Sequence, residues 1–221
     1  MTDRIEKPIV SPDPNVSVVI PTIPENDHEQ VVSNLRDQTH DNYEVIVVND
    51  PYLDICEARN RGIEVAIAPI VALTDDDTRP FSGWIEAVSE GFSGGVGIVE
   101  GPVSGGMKNN KRGMYVGCNV AFRREKAEDL GGFDPQFAGW RDDTEFGWRM
   151  EKAHDGKWVE KMKIKHPDTP NSTIDETKES LLKERHPDLY QERVVPDSFV
   201  GKVNHRLWRI GFWDAVDKVR S

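Results

Sequence analysis

The first hundred residues alternate between short apolar runs and amphipathic stretches. Residues 16–20 are β-branched and almost continuously apolar, and they run into Pro21-Thr-Ile-Pro24. A run of this kind, stopped by prolines, reads as a buried parallel strand. Residues 43–48 and 69–74 repeat the pattern, stopped by Asn49-Asp50-Pro51 and by Asp75-Asp76-Asp77, and residues 96–100 make a fourth run. Between them, residues 27–37, 54–66 and 81–92 carry apolar positions at helical spacing, such as Val31, Val32 and Leu35 in the first. Strands alternating with helices over short connections predict an α/β fold with a mostly parallel central sheet flanked by helices. Right-handed crossovers bring the carboxyl ends of parallel strands to one edge, where ligands of such sheets bind. Thr22, Asn49-Asp50 and the Asp75–Asp77 triplet each come directly after a strand, so they are expected to converge there.

The second half reads differently. Residues 101–113 are rich in Gly, Lys and Asn and predict a mobile loop; residues 114–123 are mixed strand and 124–130 a short helix, broken by Gly131-Gly-Phe-Asp134. Residues 142–153 have helical spacing through Phe146, Met150 and Ala153, and residues 158–164 alternate like a strand. Thr173-Ile-Asp-Glu176 fits a capping box opening a helix through Leu182. The predicted organisation is a loose N-terminal arm over 1–15, one domain over 16–198, and an amphipathic C-terminal helix over 199–221.

Charge changes the picture by exclusion. The chain holds 28 Lys+Arg against 39 Asp+Glu, a formal charge of −11. That total argues against a protein that coats nucleic acid, though it leaves room for a local anion site. No apolar run approaches the roughly 18 residues of a membrane span. Cys56 and Cys118, far apart and outside any C-x-x-C, read as free thiols of a reducing compartment, and residues 1–15 show no secretory h-region. The expected location is cytoplasmic. Residues 199–221 carry 5 Lys+Arg against 2 Asp and include Trp208, Phe212 and Trp213. Both a helix packed on the domain and one lying on the inner membrane face fit that pattern.

The strongest chemical feature is the acidic triplet. Three adjacent carboxylates at a strand end repel one another, and a hard divalent cation relieves the cost of crowding them. A solvated acidic turn is the alternative, but two further polar strand ends nearby favour the cation. Asp142 and Asp143 start a helix, where negative side chains are favoured as caps; a carboxylate there is equally suited to act as a base.

Taken in order, the segments of residues 16–149 resemble glycosyltransferase family two, inverting nucleotide-sugar enzymes of the GT-A fold. The matching segments are Val18-Val-Ile-Pro-Thr22, Gln38-Thr39, Glu44-Val-Ile-Val-Val-Asn-Asp50, Ala58-Arg-Asn-Arg-Gly62, and Asp75-Asp-Asp77 with Pro80 and Trp84 after it. Gly117-Cys-Asn119, Arg123-Arg124, Gly131-Gly-Phe-Asp134, and Asp142-Asp-Thr-Glu145 with Arg149 complete the set. The resemblance implies a nucleotide-binding half over 16–100 and an acceptor half over 101–198. It implies that Pro21, Thr22 and Asp50 contact the nucleoside, with Asp50 accepting an N–H from the base. Asp75 and Asp77 correspond to the family's Asp-x-Asp, with Asp77 a ligand to Mn²⁺ or Mg²⁺ and Asp75 on the donor. Asp76 is also a donor-side candidate, because three acidic residues leave the register open. Asp143 corresponds to the catalytic base and Asp142 to its acidic neighbour on the acceptor side. His166 is implied at the metal or diphosphate, Asn119 at the donor sugar, Trp140 at the acceptor and Arg59 at a phosphate. The implied partners are a nucleotide-diphosphate sugar and a glycan or lipid-linked acceptor hydroxyl.

Two departures stand out. Ile23 occupies a place where the family commonly has an aromatic residue, and only seven residues separate Asp50 from Ala58, where the family has a longer stretch. The trimmed half keeps open a catalytically silent nucleotide-binding or scaffold protein. The acidic site keeps open a metal-dependent nucleotidyltransferase.

Overall fold

The computed structural model describes residues 4–106, 108–167, 174–196 and 198–209. The chain divides into two compact units, Met1–Thr169 and Pro170–Ser221. The first unit ends before residue 198, the expected end of the domain. The last described strand ends at His166, and the described elements after it are helices.

In the first unit the elements in order are β1 (Ile5–Ile9), β2 (Val16–Thr22), α1 (Glu29–Arg36), β3 (Tyr43–Asn49), α2 (Ile55–Val65), β4 (Ile70–Leu73) and β5 (Arg79–Pro80). Then come α3 (Trp84–Gly91), β6 (Val96–Glu100), β7 (Val103–Gly105), β8 (Val120–Arg123), α4 (Arg124–Asp129), α5 (Asp142–Ala153), β9 (Asp155–Trp158) and β10 (Ile164–His166). Seven strands form one sheet in the order β1-β3-β2-β4-β8-β6-β9, and β5-β10-β7 form a second. β3, β2, β4, β6 and β9 run one way; β1 is antiparallel to β3, and β8 is antiparallel to both its neighbours. The sheet is therefore mixed but largely parallel. Every residue of β2 is buried, as expected of a strand covered on both faces. Val16, Val18 and Ile20 share a cluster with α1 and α3, including Leu35, Trp84 and Val88. Val19, on the opposite face, lies against α2. A Cβ at Gly62 would sit 2.2 Å from Val19 Cγ1, so only glycine permits that approach.

β2 runs two residues past its predicted proline stop. The Val19 carbonyl accepts from Thr74 of the β4 side, so the nitrogen of Pro21 faces that side too, beyond the last β4 pair at Leu73. Proline's missing N–H therefore costs no ladder bond. The N-terminus also departs from expectation: residues 5–9 are an edge strand and not a loose arm. Ile5 pairs with Val48, Glu6 with Val47 and Ile9 with Val45, and the register shifts between Glu6 and Ile9. Lys7 and Pro8 fall in that irregularity, which is where an edge strand tolerates proline. Lys7 reaches the buried carboxylate of Glu44, which also accepts from Ser17 and the Ile67 N–H.

Two further expectations change. The stretch 101–113 contains β7, and Val103 also bridges to Asn109. Residues 158–164 are not one strand but the end of β9, a turn and the start of β10. Glu160, Lys161 and Lys163 supply the polar turn that alternation alone concealed.

In the second unit are α6 (Glu176–Arg185), α7 (Pro187–Arg193) and α8 (Phe199–Arg209). Asp175 is the α6 N-cap, accepting from the N–H groups of Thr177 and Lys178; Thr173, the cap expected from sequence, lies outside the described residues. Tyr190 donates to Glu179 across α6 and α7. Phe199, Val200 and Val203 of α8 are exposed, and residues 210–221 of the predicted C-terminal helix lie outside the described part. Among the described residues no helix is long and apolar enough to cross a membrane.

Candidate active site

The acidic triplet leaves β4 through a tight turn. Thr78 closes it, with its N–H and its hydroxyl both donating to the Asp75 carbonyl, and the Thr74 and Thr78 hydroxyls lie 2.7 Å apart. The turn sorts the carboxylates. Asp76 goes to the β2 end, where Thr22 Oγ1 donates to it at 2.6 Å and Asn26 Nδ2 at 2.9 Å. Asp75 and Asp77 face His166 of β10, whose Nε2 lies 4.0 Å from Asp75 Oδ2 and 3.6 Å from Asp77 Oδ1.

His166 is 4% exposed. Its Nδ1 lies 2.9 Å from the Pro167 carbonyl. A carbonyl only accepts, so Nδ1 carries the proton, and in the neutral ring Nε2 turns a lone pair toward two carboxylates. Asp77 Oδ1 is itself buried and has no hydrogen-bond partner. Electron-rich atoms facing one another in this way fit a cation between them. Oxygen and imidazole donors match Mn²⁺, and a second ring nitrogen fixed by a carbonyl is the usual support of a ligating histidine.

Arg59, in the second turn of α2, joins this group to the start of α5. It pairs closely with Asp142, lies 3.9 Å from Asp75 Oδ1 and sits over the Phe133 ring at 5.3 Å. Arginine and aspartate are each at least nine-tenths buried. Burial raises the Asp142 carboxyl above its ordinary range, with Arg59 opposing the rise and Asp143 adding to it. Burial also raises Asp75, against Arg59 and His166, while Asp77 and Asp76 add to the rise. A Cβ at residue 117 would lie 2.3 Å from Arg59 Nη2, so Gly117 leaves room for the guanidinium.

Asp143 is held by the backbone. The Gly117 N–H donates to Oδ2 at 2.7 Å and the Thr144 N–H to Oδ1 at 2.6 Å, with the Thr144 hydroxyl at 3.2 Å. Each carboxylate oxygen keeps further acceptor capacity. Behind it, Phe146 stacks on Phe133 at 4.1 Å, and Arg149 ties Glu145 to the carbonyls of Leu130 and Gly132. The base candidate thus stands on a helix anchored by packing and by charge.

Many solved structures match this chain, among them the following three. Residues 1–349 of S. aureus TarS, in complex with UDP, superpose with a TM-score of 0.56 at 13% identity, over 81% of this chain and 73% of that one. The mannosyltransferase PcManGT from Pyrobaculum calidifontis, in complex with GDP-Man and Mn²⁺, gives 0.58 at 17% identity, over 90% and 72%. A longer S. aureus TarS chain gives 0.60 at 12% identity, over 88% and 42%. The fold is that of the GT-A glycosyltransferases. Within it, residues 106–170 match the family model described as the N-terminal domain of galactosyltransferase. A search of curated proteins found no sequence match.

On this GT-A scaffold the residues expected at the site fall into three groups. Asp75, Asp77, His166, Arg59, Asp142 and Asp143 form one continuous set, linked by the contacts above. Thr22, Asp76 and the end of β2, including buried Pro21, form the adjoining strand edge. Asp50 stands apart: Arg4 of the N-terminal segment pairs with it, the Tyr52 N–H donates to it at 3.0 Å, and Arg4 lies 4.4 Å over the Tyr52 ring. Asn119 is 1% exposed, and its amide is engaged by Trp84 Nε1 and by the carbonyls of Pro102 and Met162. It braces the floor of the site. Trp140 is half-buried just before α5, with Arg141 over its ring at 5.6 Å. Arg141 has φ 63°, a left-handed conformation uncommon outside glycine.

Three participants have no role assigned from the sequence, although Gly117 and Cys118 belong to a segment that matches the family. Gly117 holds Asp143 through its backbone, which no side-chain pattern reveals. Arg4 belongs to a segment that lacks strand-like alternation. Cys118 enters because β8 is antiparallel, so its first residues, and not its last, meet the edge where β2 and β4 end.

Proposed function

We propose that the chain is a metal-dependent nucleotide-sugar glycosyltransferase that passes a sugar to an acceptor hydroxyl with inversion. The observation that carries this reading is the convergence of Asp75, Asp77 and His166 with the buried Arg59–Asp142 pair and the backbone-held Asp143. Asp77 and His166, with Asp75, are the residues to hold a divalent cation. When bound, that cation neutralises the diphosphate leaving group. Asp143 accepts the proton of the acceptor hydroxyl as its oxygen bonds to the anomeric carbon and the bond from that carbon to the diphosphate breaks. The Gly117 and Thr144 N–H groups hold the carboxylate in place for that transfer. Thr22 and Asp76, joined at the end of β2, are the proposed nucleoside contacts, with Asp50 reaching the base from its pair with Arg4.

The bound ligands of the matching structures support the donor class: UDP with TarS, and GDP-Man with Mn²⁺ in the mannosyltransferase. The acceptor in this reading is the hydroxyl of a glycan or of a lipid-linked molecule in the cytoplasm. The test is product analysis with Mn²⁺. The protein is incubated with UDP- and GDP-sugars and, separately, with nucleoside triphosphates plus sugar phosphates. Release of nucleoside diphosphate from a sugar nucleotide is expected; pyrophosphate release from the second set would show nucleotidyl transfer instead.

A further inference from the structure

Cys118 is 1% exposed and lies at the floor of the site, next to Asn119. One oxygen of Asp75, Sγ of Cys118 and a ring nitrogen of His166 all lie within 4.8 Å of one another. His166 Nε2 and Asp75 Oδ2 are 4.0 Å apart, too far for a hydrogen bond. Ligand atoms around a tetrahedral zinc ion stand about 3.5 Å apart, so small side-chain rotations close the cluster. We propose that Asp75, Cys118 and His166 form a thiolate-containing metal position that selects Zn²⁺ over the hard cations served by Asp77.

The chemistry is consistent in charge and in donor type. One carboxylate, one thiolate and one neutral imidazole balance a divalent cation. Three protein ligands leave a fourth position for water or an oxygen of a bound molecule. Thiolate selects zinc over magnesium and manganese, and zinc binds a given donor set more tightly than manganese does. A thiol binds metal as thiolate, so metal binding releases the Cys118 proton as the sulfur–metal bond forms. Asp75 and His166 are shared with the Asp77 set, so the two positions overlap and exclude one another. In the proposed function Zn²⁺ then acts as a competitor of Mn²⁺.

This inference stands on the donor cluster and not on sugar transfer, so its test reads metal binding and not turnover. The full chain, freed of metal, is titrated with Co²⁺. Binding of one equivalent with a thiolate-to-cobalt charge-transfer band is expected, and one equivalent of Zn²⁺ abolishes the band. The chain has two cysteines, so Cys56→Ala keeps the band and Cys118→Ser loses it. Zn²⁺ affinity of Cys118→Ser falls by at least about tenfold, while its Mn²⁺ affinity stays within about twofold, Asp77 and His166 being intact. Cobalt bound without the band, or a band that survives in Cys118→Ser, overturns the proposal. Should Cys118→Ser not fold, the wild-type and Cys56→Ala spectra decide: a band in both supports the position, and a band in neither refutes it.

Discussion

Asp143→Asn is expected to lower kcat by roughly 10²–10⁴-fold, the ordinary contribution of a positioned general base, with little change in KM for the donor. The asymmetry comes from where Asp143 stands. It stands at the start of α5, held by the Gly117 and Thr144 N–H groups, while the proposed metal ligands Asp75, Asp77 and His166 stand in the turn after β4 and on β10. Asparagine has one acceptor oxygen where aspartate has two, so the Gly117 or Thr144 N–H loses its partner. That costs about 1–3 kcal/mol of stability, and the kinetics should be read well below the variant's unfolding midpoint. Steady-state turnover with varied donor separates the outcomes. A fall in kcat alone fits a base; a rise in KM alone would place Asp143 in donor binding. Unchanged kinetics would fit the silent nucleotide-binding protein.

Arg59→Met is expected to produce the largest loss of stability of any single change in the site. Removing one partner of a buried ion pair costs about 3–5 kcal/mol, because the other charge is left without compensation. Here two carboxylates lose it, Asp142 and Asp75, both already raised by burial. For a unit of this size the midpoint of thermal unfolding should fall by roughly 6–20 °C. The double variant Arg59→Met with Asp142→Leu should recover part of that fall, since apolar replacement of a whole buried pair is often tolerated. Calorimetry of both variants checks this. A midpoint unchanged by Arg59→Met would mean that the arginine is not a structural counter-charge.

The features legible in the sequence are the local ones. β2, β3, β4 and β6 announce themselves as apolar runs, and α5 begins and ends where its spacing places it. The edge that brings Thr22 to the Asp75–Asp77 turn is a consequence of handed crossovers, while Asp143 of α5 is singled out by the family resemblance alone. Strand order is not local. Nothing in residues 120–123 says that they insert antiparallel between β4 and β6, and that insertion is what delivers Gly117 and Cys118 to the site. Residues 5–9 lack alternation because an edge strand is half-covered and carries its proline in an irregular register. The register of the acidic triplet needed the Thr74–Thr78 turn, a contact between two hydroxyls that spacing does not encode. Asp50 needed its partner: from sequence it is a free carboxylate at a strand end, whereas in the structure Arg4 arrives from 46 residues away.

The central claim is that Asp75, Asp77 and His166 bind a nucleoside diphosphate through a divalent cation. Calorimetric titration of UDP and GDP, each with and without Mn²⁺, tests it most directly when wild type is compared with Asp77→Ala. At least one nucleotide should bind wild type only in the presence of Mn²⁺, and that dependence should vanish with Asp77. Equal binding with and without the metal, or no binding of either nucleotide, would contradict the account.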